Sequence, residues 1–220
     1  MIGANLLRYN KTQKYLTLDT ETSGLNLFAA LPTQISFVTY TLDNNLEEHN
    51  YFILWPEKEL RMSRGAAIVT RFNYEQYEAK AQDPEEVWEI VEKYIYSPEY
   101  ILFNQNLLGY DSMIINNWRR KMGLKIDYDF IHNGKPYDTL ALSKALRLKV
   151  PPVLENGKLS LSWQYKMIDT IIKDKSMKTS ISAMLKEFKI QFNENELHDA
   201  LVDVSKNREI NRKLIWSLAI

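Results

Sequence analysis

Residues 15–22 read Tyr15-Leu16-Thr17-Leu18-Asp19-Thr20-Glu21-Thr22. The run is apolar and rich in β-forming residues, which predicts a strand over 15–20. Because alternate side chains of a strand point to the same side, Asp19 and Glu21 converge where this strand ends. Two converging carboxylates repel each other unless a proton or a cation neutralises them. The stretch therefore indicates a divalent metal site, with a plain turn at the end of a strand as the alternative.

The rest of the chain predicts an α/β fold with a mixed sheet. Further strands are predicted over 34–42, 50–55 and 100–103, and helices over 84–95, 110–121, 138–148, 161–174, 180–188 and from 198–200 onward. The helix over 84–95 has the clearest start, because Asp83 is a favoured cap and Pro84 suits the first helical position. Strands followed by strand–helix alternation favour a sheet flanked by helices. We expect one domain over residues 1–220, with a possible insertion at 149–178.

Composition excludes several kinds of site. The chain has no cysteine, so disulfides, thiolate zinc sites and a cysteine nucleophile are excluded. Its formal net charge is zero, so binding to a polyanion has to come from local clusters or from a metal. The N-terminal residues contain no long apolar segment, and no stretch approaches 18 apolar residues. We therefore expect no signal peptide and no membrane span, and a soluble, cytoplasmic protein.

Two later acidic positions could join the first pair. Asp111 follows the predicted strand 100–103 and a polar turn, and capping of the next helix is the alternative role. Asp203 lies in an apolar stretch of the last predicted helix, where an inward-facing carboxylate needs a partner. His198 is five residues earlier, ~140° around a helix and ~7.5 Å along its axis. The two share a site only if His198 precedes the helix; a surface histidine and a solvated aspartate are the alternative.

In this order, the motifs resemble the DEDD superfamily of 3′→5′ exonucleases. Residues 19–25 read Asp-Thr-Glu-Thr-Ser-Gly-Leu, against the family's Asp-x-Glu-Thr-Thr-Gly-Leu. The family's His-x-Ala-x-x-Asp motif is matched by His198, Ala200 and Asp203, which is typical of the DEDDh subgroup. That subgroup includes the proofreading subunit of bacterial DNA polymerase III, exonuclease I and oligoribonuclease. The segments 137–142 and 180–185 are also similar to family segments, and the resemblance covers about residues 15–215.

The middle motif departs from the common pattern. Most members have Asn four residues before the aspartate, whereas Asn106 precedes Asp111 by five residues, as in oligoribonuclease. The longer spacing weakens the match of Asn106 to the family's motif more than it weakens the match of Asp111.

The resemblance implies an RNase H-like fold, with a five-stranded mixed sheet, and two bound divalent ions, Mg²⁺ or Mn²⁺. It implies that Asp19 bridges the two ions and that Glu21 and Asp203 hold the ion on the nucleophile side. Asp111 would support the ion on the leaving-group side, and His198 would be the general base. An ordinary histidine pKa near 6.5 suits that task near neutral pH.

The resemblance also implies a seat for the end of the substrate. Thr22 and its surroundings would receive the 3′-hydroxyl, and Leu25 would pack against the last base, with core packing as the alternative for Leu25. We place Thr20 and Asn106 in the same group of substrate contacts. Basic side chains could contact phosphates, although solvated helix ends explain them equally well. They are Arg119, Arg120, Lys121, Lys125, Lys173, Lys175 and Lys178.

The expected activity is metal-dependent hydrolysis of single-stranded DNA from its 3′ end to nucleoside 5′-monophosphates. A 3′→5′ exoribonuclease on short RNA is the alternative that the middle spacing suggests. A non-catalytic nucleic-acid-binding module associated with a polymerase is the alternative from another class. The expected partner is the 3′ end of a single strand, DNA more than RNA. The sequence leaves the pathway open among repair, proofreading, nucleotide salvage and viral replication, and it identifies no protein partner.

Overall fold

A mixed sheet organises the chain, with the strand order β3-β2-β1-β4-β5. The computed structural model describes residues 6–134, 136–194, 197 and 199–220. The strands are β1 (Lys14–Thr22), β2 (Pro32–Tyr40), β3 (Asn45–Phe52), β4 (Tyr100–Asn104) and β5 (Tyr137–Asp138). β2 is antiparallel to both β1 and β3, whereas β4 is parallel to both β1 and β5. This confirms the predicted RNase H-like sheet flanked by helices.

Ten α-helices accompany the sheet in the described residues. They are α1 (Glu57–Leu60), α2 (Arg64–Val69), α3 (Tyr74–Glu78), α4 (Pro84–Ile95), α5 (Ser112–Lys121), α6 (Asp129–His132), α7 (Thr139–Leu148), α8 (Leu161–Asp169), α9 (Ile181–Glu187) and α10 (Ala200–Ser217). A 3-10 turn spans Leu7–Tyr9, and a π-helical turn over Leu107–Asp111 leads into α5. A two-stranded hairpin, β6 (Leu154–Glu155) and β7 (Lys158–Leu159), lies between α7 and α8. No helix in the described ranges has both the length and the apolar character needed to cross a membrane.

Strand β1 alternates between two hydrophobic cores. Tyr15 belongs to the core that α7, α9 and α10 cover, and Leu16 and Leu18 belong to the core under α4 and α5. Thr17 also faces α10, because its hydroxyl contacts the Asn211 amide at 3.1 Å. By the same period of two, Asp19 and Glu21 lie on the α10 side of the sheet and Thr20 lies on the other side.

The Asn104 side chain marks the point at which β1 and β4 separate. The regular parallel pairing joins Lys14–Leu16 to Tyr100–Leu102. Beyond it, the Asn104 amide accepts from Leu18 N at 3.2 Å and donates to Leu18 O at 2.8 Å. Asn104 is fully buried, so this side chain replaces a backbone pair. The strands diverge past this point, where open α/β sheets bind ligands at their carboxyl ends.

Some boundaries differ from the sequence prediction for physical reasons. The third strand covers 45–52 and not 50–55, because β3 is an edge strand whose exposed residues need no apolar alternation. Helices α1 to α3 were not predicted, because they are short and mostly exposed. Helix α8 ends at Asp169 and not at 174, because Thr170 is extended. The segment 151–160, between the predicted helices 138–148 and 161–174, contains the β6–β7 hairpin, whose turn residues Asn156 and Gly157 both have positive φ.

The segment 149–178 contributes to the core of the sheet's α10 side. Leu159, Trp163 and Met167 are buried in that cluster. The single-domain organisation and the insertion at 149–178 stay predictions.

Candidate metal centre

Three carboxylates converge where β1 meets the start of α10. Asp19 and Glu21 come from β1, and Asp203 comes from the first turn of α10. One oxygen of each lies within 4.8 Å of the others. Oxygen ligands of divalent cations lie at about 2.0–2.6 Å from the ion, so three oxygens this close can contact one ion. The donor set is made of hard oxygens without thiolate, which fits Mg²⁺ or Mn²⁺.

The electrostatics of the cluster favour a proton or a cation. Burial raises the pKa of Asp19 well above its usual value, and the charges of Asp111, Glu21 and Asp203 raise it further. Burial also raises the pKa of Glu21 to about 8, with further contributions from Asp203, Asp199 and Asp111. The ionised forms therefore repel each other in a poorly solvated place. A bound divalent cation would reverse this preference by stabilising the ionised carboxylates.

Asp111 stands beside this cluster and is held from β1. The Thr20 hydroxyl donates to Asp111 Oδ1 at 2.7 Å. Asp111 is buried, and its side chain makes no capping hydrogen bond to α5, so the capping interpretation of this residue is wrong. Burial raises the pKa of Asp111 to about 7, and the charge of Asp138 adds to the shift. The predicted substrate contact of Thr20 stays a prediction, since its hydroxyl is engaged with Asp111.

The acidic pair at Asp83 and Glu85 provides a useful contrast within the same chain. Asp83 accepts from the backbone N–H groups of Glu85 and Glu86, so it caps α4 as predicted. The same Asp-x-Glu spacing thus serves a helix end at one place and the acidic cluster at the other.

His198 lies outside the described residues, and its predicted role as general base stays a prediction. The next residue, Asp199, caps α10 by accepting from Leu201 N at 3.0 Å and Val202 N at 3.3 Å. Sequence reasoning did not assign Asp199 a role. Its position directly before the last helix was the available signal, because Asp is a favoured cap.

The residues after β1 form a tightly hydrogen-bonded loop. The Thr22 hydroxyl contacts Gly24 O at 2.9 Å and the Tyr110 hydroxyl at 2.7 Å, and the Tyr110 hydroxyl also donates to Gly24 O at 3.0 Å. Leu25 follows with 87% of its surface exposed, so the core-packing alternative for Leu25 is wrong. Sequence reasoning missed Tyr110, whose link to Thr22 spans 88 residues of chain.

Asp138 is a buried acid that sequence reasoning did not place in the site. It caps α7 and also accepts from the backbone N–H groups of Asn106 at 3.2 Å and Leu108 at 3.0 Å. Burial raises its pKa to about 6, opposed by these hydrogen bonds. Asp138 therefore fixes the turn between β4 and α5 that carries Asp111. Asn106 has a left-handed backbone, φ 57°, and its side-chain oxygen lies against Gly109, where a Cβ would collide with it.

A cleft of about 250 Å³ adjoins the acidic cluster. Glu21 and Asp199 line one side, and Phe52, Arg71 and Phe72 are among the residues that line the remainder. Its volume lies just below the range of about 300–1,000 Å³ for pockets that bind drug-sized molecules. The cleft therefore suits a group about as large as one nucleotide, next to a carboxylate cluster.

Comparison with known proteins gives matches in structure but not in sequence. No family model matches the chain, and no curated protein matches its sequence. A structure of exonuclease I matches 90% of this chain with a TM-score of 0.67 and 18% sequence identity. Escherichia coli exonuclease I in complex with a dT13 oligonucleotide matches 91% (TM-score 0.68, 16% identity), and its complex with dA16 matches 92% (TM-score 0.69, 16% identity).

This chain covers 40%, 40% and 42% of those three chains, so it spans about two fifths of their length. At these identities the likeness concerns the fold. Nine tenths of the chain therefore have the fold of one part of exonuclease I.

Proposed function

We propose that this protein is a metal-dependent 3′→5′ exonuclease that hydrolyses single-stranded DNA to nucleoside 5′-monophosphates. The observation that carries the proposal is the convergence of Asp19, Glu21 and Asp203, with Asp111 beside them, at the carboxyl end of β1. Support comes from the exonuclease I structures with dT13 and dA16, which have the same fold.

Asp19, Glu21 and Asp203 would hold one divalent cation, and Asp111 with Asp19 would hold a second. Bound there, such ions neutralise phosphate charge and activate water for attack on a phosphodiester. Asp111 is oriented for this task by the Thr20 hydroxyl at 2.7 Å.

The remaining steps fall to groups of the chain itself. In this proposal His198 accepts the proton of the attacking water, since an ordinary histidine titrates near neutral pH. The loop at Thr22 and Gly24 holds the terminal sugar, and the exposed Leu25 packs on the last base. The cleft beside Glu21 receives the terminal nucleotide.

The decisive experiment measures how the protein shortens 5′-labelled single-stranded DNA and RNA of equal sequence in the presence of Mg²⁺ or Mn²⁺. The variants to compare are Asp19→Asn and its matched control Asp83→Asn, which removes the same charge from the other Asp-x-Glu pair. Parent and Asp83→Asn should shorten DNA stepwise from the 3′ end, and Asp19→Asn should not. An Asp19→Asn variant with full activity, or a parent that shortens neither polymer, contradicts the proposal. If the protein degrades RNA in preference to DNA, RNA replaces DNA as the proposed substrate and the proposed hydrolytic reaction is unchanged.

A further inference from the structure

A cationic pocket of about 270 Å³ lies between α1, α5 and the loop that follows β1. Its charged lining consists of Lys58, Glu59, Arg61, Arg120 and Lys121. Four cations thus face one anion, in a chain whose formal net charge is zero. The surplus positive charge is therefore local, and the three cations in excess of the anion make this pocket an attractive place for an anionic ligand.

The one carboxylate among the described residues that line the pocket is already paired. Lys121 Nζ lies 2.7 Å from Glu59 Oε2, and this hydrogen bond holds the pKa of Glu59 below its usual value. In the described part of the chain, neither Lys58 nor Arg61 forms a salt bridge, and both side chains are exposed. Glu59 is thus paired with Lys121, and Lys58 acts on it only through its charge.

Arg120 is held in place by neutral groups. Its guanidinium donates to Asn117 Oδ1 at 2.9 Å and to the carbonyl oxygen of Phe28. These bonds orient the side chain without cancelling its charge. Arg119, by contrast, turns toward Asp127 and lies 5.1 Å from the centre of the Trp88 ring. Of the basic residues at the end of α5, Arg119 therefore has a structural role, whereas Arg120 and Lys121 line this pocket.

The pocket is physically connected to the loop at the acidic site. Ser63 N donates to Ser23 O at 2.8 Å, which fixes the segment carrying Arg61 against the residues that follow β1. In the loop that leads from β1 to the pocket, Leu25 and Phe28 are exposed, with 87% and 72% of their surfaces accessible. The segment that connects the acidic cluster to the pocket therefore exposes two apolar side chains.

The length of α5 gives the approximate distance between the acidic site and the cationic pocket. Arg120 follows Asp111 by nine residues, which is ~13.5 Å along a helix axis. At ~3.4 Å per nucleotide in a stacked strand, this corresponds to about four nucleotides. Positive charge combined with exposed apolar side chains is the arrangement that binds single strands, through phosphates and unpaired bases.

We propose that this pocket binds the phosphates of a single strand about four nucleotides upstream of the 3′ end that the acidic cluster hydrolyses. The inference rests on the proposed function, because it extends the path of the same substrate. An acidic protein segment would meet the same charges, but the exposed Leu25 and Phe28 next to the reactive end favour a nucleic acid.

The test compares the double variant Lys58→Ala/Arg61→Ala with Lys166→Ala/Lys213→Ala, a control that removes two exposed cations outside the pocket. Hydrolysis is measured on dT2, which is too short to reach the pocket, and on dT20. Binding of labelled dT20 is measured over a range of salt with Asp19→Asn added to each protein, so that no cleavage occurs. Unchanged thermal unfolding verifies that the exposed substitutions leave the fold intact.

We expect Lys58→Ala/Arg61→Ala to lower kcat/KM and affinity for dT20 by about 5- to 10-fold, and the control to leave both unchanged. The slope of log affinity against log salt should fall by about 1.4, at ~0.7 per lost phosphate contact on a single strand. Hydrolysis of dT2 should not change.

Equal loss on dT2 and dT20, or dT20 affinity equal to the control, would overturn the inference. Unchanged dT20 binding with loss of binding to an oligoglutamate peptide would also overturn it and assign the pocket to an acidic protein segment. If the parent cleaves neither substrate, the proposed function fails. The dT20 binding measurement still decides the pocket in that case.

Discussion

The Thr20 hydroxyl donates a 2.7 Å hydrogen bond to Asp111, joining the carboxyl end of β1 to the residue before α5. Thr20 points to the side of the strand opposite Asp19 and Glu21, so β1 presents two acids on one face and orients a third from the other. Both Thr20 and Asp111 are buried. This bond fixes the Asp111 carboxylate relative to the other acids.

Replacing Thr20 with Val should therefore weaken the proposed hydrolysis without removing an acid. A hydrogen bond to a charged group contributes about 1.5–3 kcal/mol, so we expect a loss of about tenfold or more in kcat/KM. The loss should shrink at high Mg²⁺ if Thr20 acts by orienting Asp111. Thr20→Ser, which keeps the hydroxyl, should recover most of the activity. A Thr20→Val variant with activity equal to that of the parent at every Mg²⁺ concentration would contradict this role.

The periodicity of the strands and the order of the motifs are sufficient to predict part of the candidate site. The alternation of β1 is enough to bring Asp19 and Glu21 to one side, and the fold class follows from the sequence of strands and helices. The Thr20–Asp111 bond was not predicted, because it joins residues 91 apart and depends on how α5 packs on the sheet. The cationic pocket was missed for the same reason, since Lys58 and Arg120 meet only in the folded chain.

The short elements were missed for a different reason. Helices α1 to α3 carry little apolar periodicity, and only α2 and α3 of these three begin with a side-chain cap. Ser63 accepts from Ala66 N and Asn73 accepts from Gln76 N. Such caps are common in turns as well, so they do not distinguish a short helix from a loop.

The acidic cluster should make stability depend on pH in the direction opposite to ordinary acid denaturation. Glu21 and Asp111 have pKa values raised to about 8 and about 7, so the folded state holds their protons more tightly than the unfolded state. Their contribution is present at low pH and is lost as pH rises from about 4 to about 8. Without divalent ions, the Tm should therefore fall between pH 5 and pH 8.

Mg²⁺ should raise the Tm more at pH 8 than at pH 5, because it stabilises the ionised carboxylates. Thermal unfolding in EDTA and in Mg²⁺ at both pH values measures this. A Tm that rises from pH 5 to pH 8 in EDTA, or an equal Mg²⁺ effect at both values, would show that these acids do not titrate as a cluster.

Neutralising Glu21 should stabilise the metal-free protein while abolishing hydrolysis. Glu21→Gln removes a repelling charge beside Asp19 and Asp203. We therefore expect the Tm at pH 8 in EDTA to rise, by about 2–4 °C for each kcal/mol of repulsion that is removed. The Mg²⁺-dependent gain in Tm should become smaller. The matched control is Glu85→Gln in the helix-capping pair, which should leave hydrolysis and the Mg²⁺ effect unchanged. Lower stability of Glu21→Gln at pH 8 would be inconsistent with charge repulsion.

Tyr110→Phe should separate the loop after β1 from the acidic cluster itself. The change removes the hydroxyl that contacts Thr22 and Gly24 O, at a cost of about 1 kcal/mol or about 2–4 °C in Tm. If this loop holds the 3′ end, KM should rise more than kcat falls, because no acid is displaced. Steady-state kinetics on dT2 measure the two constants. Unchanged KM in a variant with lowered Tm would mean that the loop does not contact the substrate.

Asn211 should be a sensitive uncharged position, because it fastens α10 to the sheet. Its Nδ2 lies 2.7 Å from Phe103 O and 3.1 Å from Thr17 Oγ1, and its Oδ1 accepts from Thr139 Oγ1 at 2.6 Å. Asn211→Leu leaves buried polar groups without this partner, each costing about 1–3 kcal/mol.

We expect its Tm to fall by about 5 °C or more. Because α10 also carries Asp203, hydrolysis at limiting Mg²⁺ should fall more than at saturating Mg²⁺. Lys213→Leu introduces the same residue at an exposed position of the same helix and should change neither quantity. Equal activity of the two variants at limiting Mg²⁺ would show that Asp203 keeps its place without Asn211, and that the anchoring of α10 serves stability alone.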